Sequence, residues 1–519
     1  MTKIIYEIRE NTYYDSVTLM LISKEVKRIQ GVYEVLVGMG TDLNKELAQN
    51  LNIITDEIKS IGANDFFITA LVDEGIEIEK VVKEVDKLLS QRKKDSGLEY
   101  MPPTLSSALE QEPESNLVLI SVAGEYAADE ARKALNNDLH IMIFSDNVSL
   151  KEEKELKQLA VEKGLLMMGP DCGTAIINNI PLAFANVVNK GSIGIIGASG
   201  TGIQEITVLI DRLGGGVSQV IGTGGRDLHK EIGGLMMLQG IEALMKDPCT
   251  EVLVLVSKPP SEEIAEIILE AIENSNKPVV INFIGGDKEK IGRYGGYAGI
   301  SLEDTARKAV ALMKGEEVKD FDGFSLSTEE IDRIIAQEVE KLNKDQKYLR
   351  GLYKGGTLAE EAMNILSKEL GSIYSNISIL PEYRLEDIYK SIEHTCIDFG
   401  EDEFTVGKPH PMIDPSSRIE GLMREAEDEK LAVVLMDFVL GYGAHEDPIG
   451  EMIPAIEKAR NKMKQKDKYL CIVSSICGTE KDPQNLVESQ RRLEEAGVIV
   501  MPSNAQAARL VSLILKKNQ

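Results

Sequence analysis

A glycine-rich stretch between an apolar run and a helical pattern is the first place in this sequence where chemistry is expected. GSIGIIGASGTGIQE spans residues 191–205, and its glycines are spaced G-x-x-G-x-G rather than G-x-G-x-x-G. A dinucleotide site also needs an acidic residue about 20 positions later, and the next strand pattern ends in Gly-Thr-Gly-Gly instead. We therefore predict no NAD site but an anion cradle, where helix-start N–H groups and the helix dipole favour phosphate or carboxylate. Its members are Ser199, Gly200, Thr201 and Gly202. A turn that only lets the helix pack closely is the alternative.

Two more strand-end loops supply polar groups. GTGGRDL begins at residue 222, and SKPP begins at residue 257. Strand-end loops of a parallel sheet gather at one edge, so both loops are expected beside the first. The predicted anion pocket is completed by Gly224, Gly225, Arg226, Asp227 and Lys258. A solvated Arg–Asp pair and an exposed lysine are the alternatives.

A thiol and two histidines are further candidates. Cys172 lies in the loop MGPDCG, but a catalytic cysteine needs a nearby His or helix start, and no His is close in sequence. Cys172 is therefore predicted to pack or to line a ligand. His410 stands between two prolines, and His445 stands two residues before Asp447. These residues are candidates for acid–base or ligand roles in a second pocket, and rigid-turn positions are the alternative.

Charge and composition exclude several classes of function. The 519 residues carry a formal net charge of -27, which repels nucleic acid and anionic membranes. Five scattered cysteines give neither a disulfide framework nor a zinc motif, so no metal site is predicted. No apolar run approaches about 18 residues, and the N-terminus has no signal-peptide pattern. We expect a cytoplasmic protein without nucleic-acid or membrane partners that acts on a small anionic molecule.

The elements that must position these residues alternate between strand and helix patterns. A small α+β domain is predicted over 1–95, before a polar hinge that ends in two prolines. Strands that are apolar without alternation then predict parallel sheets. The predicted domains are 96–190, 191–320 and 351–519, with a helical linker over 321–350.

The later part of the chain contains an internal echo. VIGTGGRDL, a helix pattern and TEVLVLVSKPP resemble CIDFGEDEF, a helix pattern and LAVVLMDFVLGYG. In each case a strand ends in glycine and acid, and a second buried strand ends in a loop. The echo indicates a duplicated α/β module.

At these motifs the chain resembles the succinyl-CoA ligase superfamily. MGPDCGTAII, GSIGIIGASGTGIQE and VIGTGGRDL are similar to successive segments of its α subunit, and CIDFGEDEF with VVLMDFVLGYG is similar to the carboxy-terminal domain of its β subunit. The resemblance covers Leu117 to Leu515. It implies an α/β fold with a Rossmann-like CoA-binding domain over 96–190, duplicated flavodoxin-like succinyl-CoA-ligase domains and a small α+β N-terminal domain. It also implies a CoA-like pocket at Pro170, Asp171 and Cys172.

Two departures bear on the chemistry. The ligases carry a phosphorylated histidine in a GHAG segment, where this chain reads GRYGGYAGIS with Tyr297 in that place. The ligases hold the phosphohistidine with a glutamate in a GEIGG loop, where this chain reads VSKPP, and no ATP-grasp pattern is evident. Nucleotide-driven ligation through a phosphohistidine is therefore not expected.

The motifs ASGTGIQE, GTGGRDL, VSKPP and VGKPHPMIDP, with DSVTLM and MGTDLNKE near the N-terminus, are similar to FdrA proteins. That resemblance implies a subunit of an oxamate carbamoyltransferase in purine (allantoin) catabolism, working with companion subunits in an oligomer. Phosphate is then a co-substrate, CoA stays open as a cofactor, and Arg226 and His445 are the expected catalytic residues. An acyl-CoA synthetase (acid-thiol ligase) and a non-catalytic binding subunit are the alternatives.

Overall fold

The computed structural model describes residues 2–94, 102, 104–273, 275–406 and 408–518, and it confirms the predicted fold class. The predicted hinge after residue 90 lies largely outside the described residues. The chain forms two compact units. They are Met1–Glu114 with Thr405–Pro409, and Ser115–Phe404 with His410–Gln519.

The smaller unit is an antiparallel sheet with helices against it, and its strands are rich in β-branched and apolar residues. Its elements are β1 (Thr2–Arg9), α1 (Ser16–Lys27), β2 (Val32–Met39), α2 (Asp42–Asn50), α3 (Asp56–Ser60), β3 (Phe66–Asp73), α4 (Ile78–Lys94) and α5 (Leu105–Gln111). The strand order is β1-β3-β2. Phe66 belongs to a core cluster with Leu19 and Val85 of the helices, while Phe67 belongs to one with Ala48 and Ile58.

The larger unit begins with a three-stranded parallel sheet in the order β4-β5-β6. Its elements are β4 (Leu117–Ile120), α6 (Gly124–Asn136), β5 (His140–Ile143), α7 (Leu150–Lys163) and β6 (Met167–Met168). The next two strands, β7 (Thr174–Ile177) and β8 (Ile180–Ala183), bond into the following sheet instead. The division of 96–320 at residue 190 therefore stays a prediction.

A seven-stranded sheet follows, in the order β13-β12-β11-β9-β10-β7-β8. Its further elements are β9 (Lys190–Ala198), α8 (Gly200–Arg212), β10 (Val217–Gly222), α9 (Leu235–Lys246), β11 (Val252–Ser257), α10 (Glu262–Glu273), β12 (Val279–Phe283), α11 (Lys288–Arg293), β13 (Tyr297–Ala298) and α12 (Leu302–Lys314). Residues 190–314 are called the first module below. The strands β9 to β13 are parallel, and all six residues of β11 are buried, as expected for a sheet covered on both faces.

The helix α13 (Thr328–Lys341) precedes a six-stranded parallel sheet in the order β15-β16-β14-β17-β18-β19. The elements of this part are β14 (Tyr348–Tyr353), α14 (Gly356–Leu370), β15 (Tyr374–Ser375), a 3-10 turn (Pro381–Tyr383), β16 (Thr395–Asp398), α15 (Asp402–Thr405), α16 (Ser416–Glu425), β17 (Leu431–Val439), α17 (Pro448–Lys464), β18 (Cys471–Cys477), α18 (Leu486–Glu495), β19 (Ile499–Met501) and α19 (Asn504–Asn518). Residues 348–518 are called the second module.

The two modules have the same topology. The order β10-β9-β11-β12-β13 in the first corresponds to β16-β14-β17-β18-β19 in the second. When the two-residue edge strand β15 is left out, the chain order is 2-1-3-4-5 in both modules, which is the flavodoxin-like arrangement. This confirms the predicted duplication.

The modules also cap each other's helices. The carboxylate of Glu205 in α8 accepts the N–H of Asn504 at the start of α19, at 3.2 Å. The carboxylate of Glu361 in α14 accepts the N–H of Leu302 at the start of α12, at 2.6 Å. Each module thus satisfies an otherwise unpaired helix-start N–H of the other.

In the described part of the chain, we find no helix with the length and apolar character needed to span a bilayer.

Candidate active site

Two helices of the larger unit begin against one another. α8 begins after Ser199 and α14 begins after Gly355. The hydroxyl oxygens of Ser199 and Thr357 lie 2.6 Å apart in a hydrogen bond. A Cβ added at Gly355 would lie 2.6 Å from Cγ2 of Thr201, so any larger residue would push the helix starts apart. The helix-start junction, as it is called below, comprises Ser199–Gly202 and Gly355–Leu358.

The two helix starts are capped differently. The Oγ of Ser199 accepts the N–H of Gly202 at 3.1 Å, so this predicted phosphate ligand already serves as a helix cap. Gly200 and Thr201 form the first turn of α8. No described side chain caps α14, whose first-turn N–H groups lack intrahelical partners. The positive ends of two helix dipoles thus meet at the junction.

Lys258, just after β11, reaches the start of α14. Its Nζ lies 3.1 Å from Oε1 of Glu360. A Cβ added at Gly356 would lie 3.5 Å from this Nζ and 2.6 Å from Oδ2 of Asp398. Asp398 ends β16, is buried, and accepts the N–H of Gly400 at 2.8 Å through Oδ1. A cation, a carboxyl group and an uncapped helix start therefore share one place.

The charges at this place interact strongly. Burial and the nearby carboxylate of Glu401 together raise the pKa of Asp398 to about 7, against the lowering effect of the Gly400 N–H and of Lys258. Burial alone lowers the pKa of Lys258, but the carboxylates of Glu360, Asp398 and Glu401 outweigh it and the pKa is raised. Lys258 is thus positively charged at neutral pH, while Asp398 exchanges its proton there.

The loop that contains Cys172 packs against the glycines of the second strand-end loop. A Cβ added at Gly224 would lie 2.2 Å from the carbonyl oxygen of Pro170, and one at Gly225 would lie 3.1 Å from Oδ2 of Asp171. Cys172 is buried, and burial raises the pKa of its thiol to about 12. A thiol with this pKa is protonated at neutral pH, and the predicted packing or ligand-lining role of Cys172 stays a prediction.

Arg226 and Asp227 are tied to α7. Asp227 is fully buried, and its two oxygens accept Nζ of Lys157 at 2.8 Å and the N–H of Met237 at 2.9 Å. Glu153 pairs with Lys157 at 2.9 Å and with Arg226 at 2.8 Å. Both oxygens of Asp227 are therefore engaged within the protein. Arg226 remains about one-third exposed at 32%.

His410 lies beside the β16 strand end. Its Nδ1 accepts the N–H of Met412 at 3.2 Å, and its Nε2 would lie 2.8 Å from a Cβ at Gly400. Its ring stands 5.6 Å from that of Phe184. Burial and the nearby Lys354 lower the pKa of His410 to about 4, so the imidazole is neutral at pH 7.

Asp447 and His445, the other two members of the predicted second pocket, lie just before the first residue of α17. Asp447 caps α17 by accepting the N–H of Gly450 and pairs bidentately with Arg492 at 2.7 and 3.0 Å. This pairing holds the pKa of Asp447 below its usual value. His445 accepts the N–H of Asp447 through Nδ1 at 3.0 Å. The roles of His410, His445 and Asp447 in binding or catalysis stay predictions.

Three residues in or beside the junction carry no signal that the sequence analysis used for the site. Thr357, Glu360 and Asp398 all face Lys258 or Ser199. A sequence signal was nevertheless present. YKGGTL runs from the end of β14 into α14, just as GASGTG runs from the end of β9 into α8, and both place Gly-Thr in the first helical turn.

Family models match three stretches of the chain. A model described as "CoA-ligase" matches residues 352–514, and one described as "CoA binding domain" matches residues 188–285. A third, described as "AllF, heavy metal-associated domain", matches residues 1–101. The CoA-binding match falls on β9 to β12 and not on 96–190, so the role predicted for 96–190 stays a prediction.

Relatives of known sequence point the same way. The uncharacterised protein YahF of Escherichia coli (strain K12) is 45% identical over 99% of this chain and 98% of its own length. The ADP-forming sulfoacetate-CoA ligase subunit SqwL of an Acholeplasma species is 31% identical over 31% of this chain and 54% of its own. A succinate–CoA ligase subunit alpha of Archaeoglobus fulgidus is 25% identical over 40% of this chain and 71% of its own. The chain thus spans only about half of SqwL.

Among solved structures, PH0766 of Pyrococcus horikoshii OT3 is 14% identical, with a TM-score of 0.34 over 78% of this chain and 85% of its own. At that score the likeness carries no argument. The fold and the family matches define a protein of the CoA-ligase type. The chain belongs to the succinyl-CoA ligase superfamily, and its full-length similarity to YahF is consistent with the FdrA family.

The heavy-metal description does not fit the residues of the smaller unit. Residues 1–101 contain no cysteine and no histidine, since the first of each are Cys172 and His140. Thiolates and imidazoles are the ligands that soft metals select. Among the described residues, moreover, no three or more His, Cys, Asp or Glu side chains are grouped to hold an ion.

The carboxyl end of the β4-β5-β6 sheet does not fit the phosphates of CoA either. Asp146 and Asp171 follow β5 and β6 there, and burial together with neighbouring carboxylates raises the pKa of both, that of Asp171 to about 7. These carboxylates would repel a polyphosphate. The cation Arg226 next to them is already paired with Glu153.

Proposed function

We propose that this protein is the FdrA-type subunit of a carbamoyltransferase that phosphorolyses an N-carbamoyl amide. The reaction would convert oxalurate and phosphate into oxamate and carbamoyl phosphate. The observation that carries the proposal is the helix-start junction, where two helix N-termini and the ammonium of Lys258 converge. Such a site suits a phosphate and an acyl phosphate, because both are anions that helix starts and lysine bind.

In this proposal the α14 N–H groups and Lys258 hold phosphate, and the α8 start with Gly200 and Thr201 holds the carbamoyl group and its developing oxyanion. Donors that are fixed before the reaction stabilise the transition state more than the ground state. Phosphate then attacks the carbamoyl carbon directly. Arg226 and His445 stay candidate catalytic residues.

Direct attack agrees with the residue types at the site. Tyr297 occupies the place of the ligase histidine, on β13 at the edge of the sheet. Burial raises the pKa of Cys172 to about 12, so a thiolate nucleophile is not available from it. Neither Tyr297 nor Cys172 therefore offers a ready carrier for a covalent enzyme intermediate.

Companion subunits and an oligomer are part of the proposal. Relatives such as SqwL and the Archaeoglobus protein are named as subunits of ligases. By analogy, this chain would act with further chains, which would complete the substrate pocket.

An acid-thiol ligase is the second candidate function. The matches to the CoA-ligase and CoA-binding models favour it. The exposed carboxylates at Asp146 and Asp171 weigh against it.

The test is phosphate-dependent cleavage of oxalurate, followed by carbamoyl phosphate formation, with this chain alone and with its companion subunits. We expect Lys258→Ala to raise the KM for phosphate about 10- to 100-fold, because a charged hydrogen bond contributes about 1.5–3 kcal/mol. Lys230→Ala is the matched control, since Lys230 is an exposed lysine of the same module.

A parallel reaction with ATP, CoA and a dicarboxylic acid separates the candidates. Formation of a CoA thioester instead of carbamoyl phosphate would favour the ligase. If neither assay yields its product, a non-catalytic binding subunit would be favoured.

A further inference from the structure

Asp398 is the buried titratable group nearest the start of α14. Its Oδ2 lies against Gly356, on the same side as Nζ of Lys258, as the position of an added Cβ shows. Its Oδ1 is fixed by the N–H of Gly400 at 2.8 Å. The strand end itself is held by Asn376, whose side chain bonds both the N–H and the C=O of Asp398. The carboxyl group is therefore rigidly placed and points at the junction.

We propose that Asp398 is the acid–base group that carries the proton in the transfer reaction. This inference rests on the proposed function. An amide nitrogen is a poor leaving group as an anion, so the bond to the carbamoyl carbon breaks readily only when the nitrogen is protonated.

In this step an oxygen of hydrogenphosphate forms a bond to the carbamoyl carbon, and the carbon–nitrogen bond breaks. The electron pair goes to nitrogen, which takes the proton of the Asp398 carboxylic acid and leaves as the primary amide. The proton that hydrogenphosphate loses returns to the Asp398 carboxylate. In the reverse direction Asp398 removes the amide proton.

The surroundings of Asp398 suit both forms of the carboxyl group. Burial and the carboxylate of Glu401 favour the acid, while Lys258 and the Gly400 N–H favour the carboxylate, and the pKa lies at about 7. A proton carrier works best when its pKa is near the working pH. The charged and titratable groups that face it are Lys258, Glu401, Asp437, Arg418 and His410.

Neighbouring groups are less suited to the role. His410 stays neutral far below pH 7 and offers no proton of suitable acidity. Glu360 is paired with Lys258 at 3.1 Å. The pKa of Asp171 is also raised to about 7, chiefly by burial, but its Oδ2 lies against Gly225 rather than Gly356, so Asp171 is the remaining carboxyl competitor.

The test is the pH profile of kcat for the assembled enzyme with oxalurate and phosphate. We expect Asp398→Asn to lower kcat about 100-fold or more, with KM changed less than about threefold, and to remove the limb near pH 7. Asp402→Asn is the matched control, because Asp402 is exposed at the start of α15, four residues further along, and loses its charge in the same way. Asp398→Glu is expected to restore part of the rate.

Several outcomes would overturn the inference. They are an unchanged profile in Asp398→Asn, an equal loss in Asp402→Asn, or loss of the limb in Asp171→Asn alone. Thermal unfolding and phosphate binding show whether Asp398→Asn still folds and still binds phosphate. If both the fold and phosphate binding are lost, Asp398 has a structural role. No carbamoyl phosphate from the wild-type complex would refute the proposed function itself, before any variant is compared.

Discussion

Lys157 brings a positive charge into the interior of the larger unit, where its side chain is fully buried. It pairs with Glu153 and Asp227 and donates to the carbonyl oxygen of Thr223 at 3.0 Å. One ammonium group thus fastens α7 to the loop that carries Arg226. A buried charge that loses its partner costs far more than a surface pair contributes.

We therefore expect Lys157→Met to lower the free energy of unfolding by about 3–5 kcal/mol, because Asp227 would remain buried without its cation and Glu153 would keep only Arg226. Urea unfolding measures this change. Lys163→Met is the control on the same helix, since the Lys163–Asp138 pair is largely exposed and contributes about 1 kcal/mol or less. Equal losses in the two variants would contradict the role given to Lys157.

At the scale of elements, the contact between α8 and α14 depends on side-chain size. Thr201 occupies the space that a side chain at Gly355 would need, and Thr357 stands close to Gly202. Each helix start therefore places a threonine against a glycine of the other: Thr201 lies against Gly355, and Thr357 lies against Gly202. This close approach brings the capped start of α8 and the uncapped start of α14 together at the proposed anion site.

Gly355→Ala is expected to destabilise the protein by about 1–3 kcal/mol, because the added methyl group overpacks the junction against Thr201. It should also lower carbamoyl-transfer activity. Thermal unfolding and the activity assay measure the two effects. Gly292→Ala in α11 is the control, since a Cβ there meets no atom within 4 Å and is expected to be neutral or stabilising.

The sequence predicts the strands and helices that form the junction, but it does not predict the contact between the two helix starts. Apolar strands, glycine loops and the echo between CIDFGEDEF and VIGTGGRDL are local patterns, and they give the duplicated sheets correctly. The pairing of Ser199 with Thr357, 158 residues apart, depends on how two sheets pack and leaves no local pattern. For the same reason the sequence marks Asp398 only as part of a motif, and it does not predict the ion pair between Arg226 and Glu153.

For the molecule as a whole, the two modules are joined through buried carboxyl groups. Glu361 is buried, and burial raises its pKa to about 7, against the lowering effect of the Leu302 N–H and the Asn504 side chain. Burial also raises the pKa of Glu205. The folded protein is therefore most stable relative to the unfolded chain when Glu361 carries its proton.

Stability is expected to fall as pH rises through the neutral range. The pKa of Glu361 is higher in the folded protein than in the unfolded chain, so its contribution is full below about pH 4.5 and is lost as pH passes about 7. One such proton gives a slope of at most about 1.4 kcal/mol per pH unit. Urea unfolding at several pH values should show a smaller fall for Glu361→Gln than for the wild type.

Glu369→Gln is the control for that comparison, because Glu369 lies on the same helix in an exposed pair with Lys516. Parallel curves for the wild type and Glu361→Gln would rule out the assignment to Glu361.

The exchanged helix caps have a consequence for how the two modules find each other. Each module leaves a helix-start N–H that only the other module satisfies. On one chain the modules are always present in equal number, and a tether of this kind gives an effective concentration of about a millimolar. Covalent linkage thus removes the dependence on protein concentration that two separate chains would have, so this interface should survive dilution that dissociates companion subunits.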